Sequence, residues 1–261
     1  MEDLLSLNGK VALVTGAGRG VGRQVALHFA GHGAAVVVND YFLDRAEAVV
    51  AEIDAAGGQA VPVQCDVSEI EDVRRMVAAA EEAAGPVDIL VNNAGNAGPQ
   101  MSIVDATPFW ETGPKEWQPW LAANFFGVMN CTNRVVGGMV ERGYGRLISI
   151  VSDAGRVGEP QYIVYSGAKA GAAGFTRAIA KAVGAQGVTA NCIALSAMRT
   201  PATDEFTSDD ATLKKLLHGY VVRRLGEPED AANMALFLAS EASSWITGQT
   251  YPVNGGYAMA M

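Results

Sequence analysis

Short apolar runs ending in glycine, asparagine or aspartate alternate with amphipathic stretches along most of this chain. Val11 to Thr15 (VALVT) is a continuous apolar run before a glycine cluster, the pattern of a strand buried on both faces. The helical pattern that follows sets Val21, Val25, Leu27, His28 and Phe29 roughly on one side and stops at Gly31 and Gly33. Ala34 to Val38 is a second buried strand, ending at Asn39-Asp40. The alternation continues with a helix from Arg45 to Ala56 and a strand from Ala60 to Gln64, which leads into Cys65-Asp66-Val67. A helix from Glu69 to Ala84 carries Val73, Met76, Val77 and Ala80 at helical spacing, and Val87 to Val91 is the fourth strand, ending in Asn92-Asn93-Ala94-Gly95.

From Asn96 to Pro119 the rhythm breaks. This stretch holds Pro99, Pro108, Pro114 and Pro119 and the aromatic side chains Trp110 and Trp117, with Trp120 just beyond. It reads either as a wall of a substrate pocket or as a surface excursion whose aromatics pack down on the body. A long helix is expected from about Trp117 to Arg142, with Asn124 facing inward, and Gly143 and Gly145 stop it. Arg146 to Val151 is the fifth strand and delivers Ser152 at its end. A helix from near Gln161 to Val183 and a strand from Val188 to Ala194 follow. Residues 195–226 are irregular and charged, with a short helix over Leu213 to Leu217, and read as a lid rather than a linker. Pro228 opens a helix to Ala239, and Thr250 to Val253 is a last short strand.

Strands and helices alternating at these lengths predict the α/β class: a Rossmann-type doubly wound parallel sheet of about seven strands with helices on both faces. No linker, repeat or low-complexity stretch divides residues 1–261, so the whole chain is read as one dinucleotide-binding and catalytic domain. Ligands of such sheets bind beyond the carboxyl ends of the strands, where Gly16, Asp40, Asp66 and Asn92 all fall.

Candidate chemistry gathers at those ends. The loop Thr15-Gly16-Ala17-Gly18-Arg19-Gly20-Val21-Gly22 lies between a strand and a helix, the context in which glycines admit a pyrophosphate to the helix N-terminus. Asp40, eighteen residues after Gly22, is placed to accept hydrogen bonds from ribose hydroxyls. Tyr165 and Lys169 are four residues apart and share a helix face, with Ser152 thirteen residues before the tyrosine. An ammonium beside a phenol favours the phenolate, so the tyrosine pKa is expected to fall below its ordinary value.

Composition narrows the classes. Apolar residues make up 49% of the chain, enough for a sizeable core, and the net charge of −9 disfavours nucleic acid and anionic membrane surfaces as partners. Cys65, Cys131 and Cys192 form no C-x-x-C pair, and His28 and His32 lack a third ligand, so thiols in a reducing compartment and no metal are expected. The N-terminus has no apolar h-region, and no run approaches the ~18 apolar residues of a membrane span. A cytoplasmic protein is expected.

With these residues placed, nearly the whole chain resembles the short-chain dehydrogenase/reductase family, in particular its 3-oxoacyl-thioester reductase-like members. Thr15-Gly16-x-x-x-Gly20-x-Gly22 is similar to the family's cofactor loop, and Asn92-Asn93-Ala94-Gly95 to its sheet-stabilising turn. The family's active-site quartet falls on Asn124, Ser152, Tyr165 and Lys169. The resemblance implies hydride transfer between a nicotinamide cofactor and a secondary alcohol or ketone. Tyr165 is then the acid/base, Lys169 its partner at the nicotinamide ribose, and Ser152 the hydrogen-bond donor to the substrate oxygen. Asn124 kinks its helix and supports a proton relay. It further implies cofactor contacts from Gly16, Arg19, Gly20, Val21, Gly22, Asp40, Asp66, Val67, Asn93, Ala94, Gly95, Tyr165, Lys169 and Thr200.

Asp40 suits the free ribose diol of NAD and repels the 2'-phosphate of NADP, whereas Arg19 pulls the other way; NAD is expected, with NADP as runner-up. The substrate is a small molecule, with 3-hydroxyacyl thioesters and cyclic alcohols both open; Trp110 and Met198 tilt the choice to apolar or ring-bearing compounds. A homotetramer is implied, in which the Ala/Gly face of the Tyr165 helix (Gly167, Ala170, Gly171, Gly174, Ala178) packs on another copy, although contact with the sheet would favour the same residues. A non-catalytic cofactor-binding protein, and a lyase or epimerase using the cofactor transiently, are the alternatives. One departure stands out: where the family has N-x-x-x-P-G-x-x-x-T, the chain has Leu195-Ser196 in place of Pro-Gly between Asn191 and Thr200. Losing Pro and Gly is expected to alter the rigidity of the turn beneath the nicotinamide.

Overall fold

The computed structural model describes residues 3–95, 107–201, 203 and 209–259. Its frame is one parallel sheet of seven strands in the order β3-β2-β1-β4-β5-β6-β7. These are β1 Val11–Val14, β2 Ala35–Asp40, β3 Gln59–Gln64, β4 Ile89–Asn92, β5 Gly145–Ser152, β6 Val188–Leu195 and β7 Thr250–Val253. The central strands are buried along their length because helices cover both faces, which is why their sequences read as unbroken apolar runs. Pro62 and Pro252 fall on the two edge strands, where a missing N–H costs the ladder nothing.

One face carries α1 Gly20–Gly31, α2 Leu43–Ala55 and, late in the chain, α9 Pro228–Ala239. Val25, Phe29, Val49, Ile53 and Leu236 from these helices join Val14, Val36 and Ile148 in one cluster. The other face carries α3 Ile70–Ala84, α5 Gly127–Arg142 and α7 Ile163–Val183, with Val73, Met76, Cys131 and Val183 against Leu13, Leu90 and Leu147. Alternate residues of each strand therefore serve opposite cores, as the period of two demands.

The expected long helix is present but not uniform. It begins at Pro114, three residues earlier than the sequence suggests, as α4 Pro114–Leu121. Proline suits the first helical position because its missing N–H would be unpaired there, and Glu116 accepts from the Gly113 N–H at 2.9 Å. A π-helical turn, Ala122–Phe126, then joins α4 to α5. Asn124 sits in it, fully buried, and its Nδ2 donates to the Trp120 carbonyl at 2.8 Å. That is the acceptor a regular α ladder would give the Asn124 backbone N–H, so the side chain competes with the helix and the extra residue is accommodated.

After β5 comes a single helical turn, α6 Ala154–Val157, and between β6 and α9 lies α8 Asp210–Leu217. Within the stretch read as a lid, 202 and 204–208 lie outside the described residues, as do 96–106 of the aromatic stretch, Pro99 included. Among the described residues no helix is long and apolar enough to cross a membrane.

Candidate active site

The carboxyl ends of β1, β2 and β4 open into a cleft of about 460 Å³. Every residue expected at the dinucleotide other than Tyr165 and Lys169 lines it: Gly16, Arg19, Gly20, Val21, Gly22, Asp40, Asp66, Val67, Asn93, Ala94, Gly95 and Thr200. The loop owes its shape to ties from β4. Asn93 Nδ2 donates to the carbonyls of Thr15 and Gly16 at 2.9 Å each, and Thr15 Oγ1 accepts from the N–H groups of Asn93 and Ala94. Gly16 and Gly20 adopt positive φ of 61° and 55°. A Cβ on Gly16 would lie 2.8 Å from Ala94 Cα, so the Asn93-Ala94 segment and the loop can approach this closely only with glycine there.

Asp40 is buried at the end of β2, its Oδ2 accepting from the Gly18 N–H and its Oδ1 from the Phe42 N–H, both at 3.0 Å. The carboxylate is thus held at the cleft wall before any ligand arrives. Asp66 accepts from the backbone N–H and hydroxyl of Ser68. Sequence reasoning missed Arg45, which also lines the cleft, its guanidinium 4.2 Å from the centroid of the Phe42 ring. Its signal was a cation five residues after Asp40, which a helix brings back over the strand end.

A second cavity of about 510 Å³ adjoins Tyr165. Phe109 and Trp117 stack with centroids 5.3 Å apart, and Trp117 Nε1 donates to Thr112 Oγ1 at 2.8 Å. Trp120 and Tyr162 each meet the Tyr165 ring edge to face, at 5.8 and 6.4 Å. Within the described part of the aromatic stretch, the Phe109 and Trp117 rings pack on each other and, with Trp120, line the cavity. Trp110 lines it and is 81% exposed. Met198 does not belong to this wall; it is buried in the core beside Gly226, where it pairs as an isolated bridge.

Between cleft and cavity the quartet converges from three elements. Tyr165 and Lys169 come from the first turns of α7, Ser152 from the end of β5 and Asn124 from the π turn. Lys169 is buried, with Nζ 5.7 Å from the Tyr165 ring centroid and donating to the Ile150 carbonyl at 2.9 Å. A Cβ placed on Gly95 would lie 2.8 Å from Asn124 Oδ1 and 3.2 Å from Lys169 Nζ, so both polar groups face one bare glycine at the cleft floor. Burial pushes the Lys169 amine down to about 8. Tyr165 departs from expectation: burial raises its pKa above the ordinary value, and its hydrogen bond with Ser152 offsets only part of this.

Among the described residues no cluster of His, Cys, Asp or Glu is arranged to hold a metal ion. What the site does present is a glycine-lined cleft at a sheet's switch point, an acidic residue at its wall, and at its far end a partly exposed tyrosine one turn from a buried lysine. Such a frame serves dinucleotide-dependent oxidation and reduction.

Comparison with known proteins agrees. A family model described as enoyl-(acyl carrier protein) reductase matches residues 16–258. The chain is 39% identical to the subunit BbsD of (2S)-[(R)-hydroxy(phenyl)methyl]succinyl-CoA dehydrogenase of Thauera aromatica, over 98% of this chain and 99% of that one. It is 38% identical to 3-oxoacyl-(acyl-carrier-protein) reductase of Synechocystis, over 98% of this chain and all of the relative. A solved 7α-hydroxysteroid dehydrogenase, complexed with NADH and 7-oxo glycochenodeoxycholic acid, superposes with a TM-score of 0.90 at 36% identity and covers 98% of each chain. The chain belongs to the short-chain dehydrogenase/reductase family. Its reaction is NAD(P)-dependent hydride transfer between an alcohol and the corresponding ketone.

Proposed function

We propose that Tyr165 is the acid/base of this reaction and that Ser152, Lys169 and Asn124 serve it. The observation that carries the reading is their convergence: a phenol on the first turns of α7 near Ser152 at the end of β5, one turn from an ammonium that shares the floor of the cleft with Asn124. The close-packed Gly16 and the ready-made Asp40 carboxylate fit a dinucleotide in the adjoining cleft. When bound, the nicotinamide supplies hydride acceptance or donation. The chain handles the proton. In oxidation Tyr165 first gives up its own proton to the path behind it and then takes the hydroxyl proton as hydride leaves the same carbon; in reduction Tyr165 gives its proton to the carbonyl oxygen and regains one by the same path. Ser152 donates to that oxygen and steadies charge developing there. Lys169 and Asn124 continue the proton path behind the tyrosine.

NAD is the preferred cofactor, because the Asp40 carboxylate is fixed where a 2'-phosphate would meet like charge, against the opposing pull of Arg19 and Arg45. The substrate carries an aromatic or alicyclic ring beside its secondary alcohol, supported by the aromatic lining of the cavity at Tyr165. The surface helix α8, which buries none of its residues, is part of a lid within 195–226 over the single domain. The protein assembles as a homotetramer: Gly167, Ala170 and Ala178 lie on the exposed side of α7, while Ala168, Ala172 and Ala180 serve the sheet. Three unpaired, buried thiols suit a cytoplasmic setting.

The test is a panel of ring-bearing and acyclic secondary alcohols and their ketones, read by absorbance of the reduced nicotinamide. Tyr165→Phe, which removes only the phenol oxygen, should lower kcat/KM by about 10²–10⁴-fold. Wild-type turnover by that variant would refute the assignment.

A further inference from the structure

The Leu195-Ser196 turn, where the family has Pro-Gly, is held by a side chain from elsewhere in the chain. Tyr220 lies between α8 and α9 and is only 4% exposed. Its hydroxyl accepts from the Ala197 N–H at 3.0 Å and shares a short hydrogen bond with Ser196 Oγ. The Tyr220 ring is in turn fixed, tilted against Tyr257 at 5.3 Å, and Tyr257 donates its own hydroxyl hydrogen bond to Glu159. Gly255, at φ 58°, leaves room for the ring; a Cβ there would lie 3.3 Å from Tyr220 Cδ1.

Downstream, the segment is tied to Gly226, which donates to the Ala197 carbonyl at 3.0 Å and accepts from the Arg199 N–H at 2.7 Å. Thr200 follows at the cleft, where a Cβ on Gly20 would stand 3.3 Å from its Cγ2. The Gly226 ties fix the far side of the turn. Its near side, Ser196 and the Ala197 N–H, is held by the Tyr220 phenol.

We propose that Tyr220 is a positioning residue for the cofactor. Proline restrains a turn by locking its own φ and narrowing its neighbour's choices, and it does so in the sequence itself. Leu-Ser has neither restraint, so the same order must come from tertiary contacts. A phenol oxygen both accepts from a backbone N–H and exchanges a hydrogen bond with a hydroxyl, which pins two consecutive residues with one group. The effect is to keep Thr200 facing the dinucleotide. This inference rests on the reading of Thr200 as a cofactor contact.

The test is the dissociation constant of NADH, followed by fluorescence, together with kcat at saturating cofactor. Tyr220→Phe keeps the ring and removes the hydroxyl. It should weaken NADH about tenfold, the range for stranding a partly buried donor, with kcat changed by less than about threefold. In a Thr200→Ala background the same substitution should have no further effect. In a Leu195→Pro/Ser196→Gly background, where the turn restrains itself, it should also have none. Wild-type affinity in Tyr220→Phe, or an undiminished tenfold loss in either background, would overturn the proposal. If Tyr220→Phe does not fold, Ser196→Ala decides: binding about threefold weaker is expected, and unchanged binding overturns it. Unchanged affinity in Thr200→Ala alone would remove the cofactor reading of Thr200 and this inference with it. Weakened Thr200→Ala beside unchanged Tyr220→Phe would remove this inference only.

Discussion

Lys169 Nζ donates to the Ile150 carbonyl at 2.9 Å, anchoring a side chain of α7 to the neighbouring strand. A buried backbone oxygen is a neutral partner for a cation, so the hydrogen bond is made without a counter-charge, and desolvation holds the amine down to about 8.

That arrangement gives a signed pH dependence. Lys169 has a lower pKa folded than unfolded, so between roughly pH 8 and 10.5 the unfolded state binds more protons and this group's contribution to stability rises with pH. The buried thiols act in the opposite sense above pH 9, since burial raises their pKa values. The informative quantity is therefore the difference between wild type and Lys169→Met, in which Cys65 and Cys131 cancel and only Cys192, which senses the Lys169 charge, contributes a smaller remainder. The variant should have its greatest relative stability at pH 7 and lose on the order of 3 kcal/mol of that advantage by pH 10. A difference independent of pH in urea unfolding would show that the amine is not depressed.

Asp40→Ala should shift cofactor choice. It removes the fixed carboxylate while Arg19 and Arg45 remain beside the cleft. The ratio of kcat/KM for NADP to that for NAD should rise tenfold or more, the scale of one charged hydrogen bond. Tighter NADP than NAD binding in the unaltered protein would already contradict the preference.

Asn124→Ala removes the side chain that occupies the Trp120 carbonyl. We expect a loss of about 1–3 kcal/mol in unfolding free energy, plus reduced kcat, since the π turn loses its cause and the helix is free to regularise. Unchanged Tm with unchanged turnover would argue that the turn is set by something else.

The aromatic cavity predicts a split by substrate shape. Trp117→Ala removes the stack on Phe109 and the bond to Thr112. KM for ring-bearing alcohols should rise about tenfold, and KM for short acyclic alcohols should change little. Equal effects on both classes would count against a ring-binding wall.

Asp153 is nearly inaccessible, pairs with Arg156 and accepts from Asn254 Nδ2 at 2.6 Å; Arg156 also reaches the Met259 carbonyl at 2.9 Å. Together they fasten Asn254 and Met259 to the turn after Ser152. Asp153→Ala takes one acceptor from each partner, while Arg156 keeps the Met259 carbonyl and Asn254 the Ala258 carbonyl, and should cost about 1–3 kcal/mol in chemical denaturation. A cost below about 1 kcal/mol would mean the clamp contributes little.

Much of this architecture is legible without coordinates because burial leaves a period. Strands covered on both faces become apolar runs such as VALVT and RLISIV, and helices covered on one face repeat every three to four residues, as Val73, Met76, Val77 and Ala80 do. Order and spacing then fix which loops share the carboxyl edge of the sheet, which is how Gly16, Asp40, Ser152 and the Tyr165–Lys169 pair could be named together. Three things needed the tertiary structure. Which distant side chain braces a turn, as Tyr220 braces Ser196, depends on contacts with no local period. Whether Met198 meets a ligand or the core depends on which way an irregular segment turns. And the direction of the Tyr165 shift depends on whether burial or a nearby charge is the larger effect, which a spacing of four residues cannot say: here desolvation raises the phenol and depresses its lysine partner together.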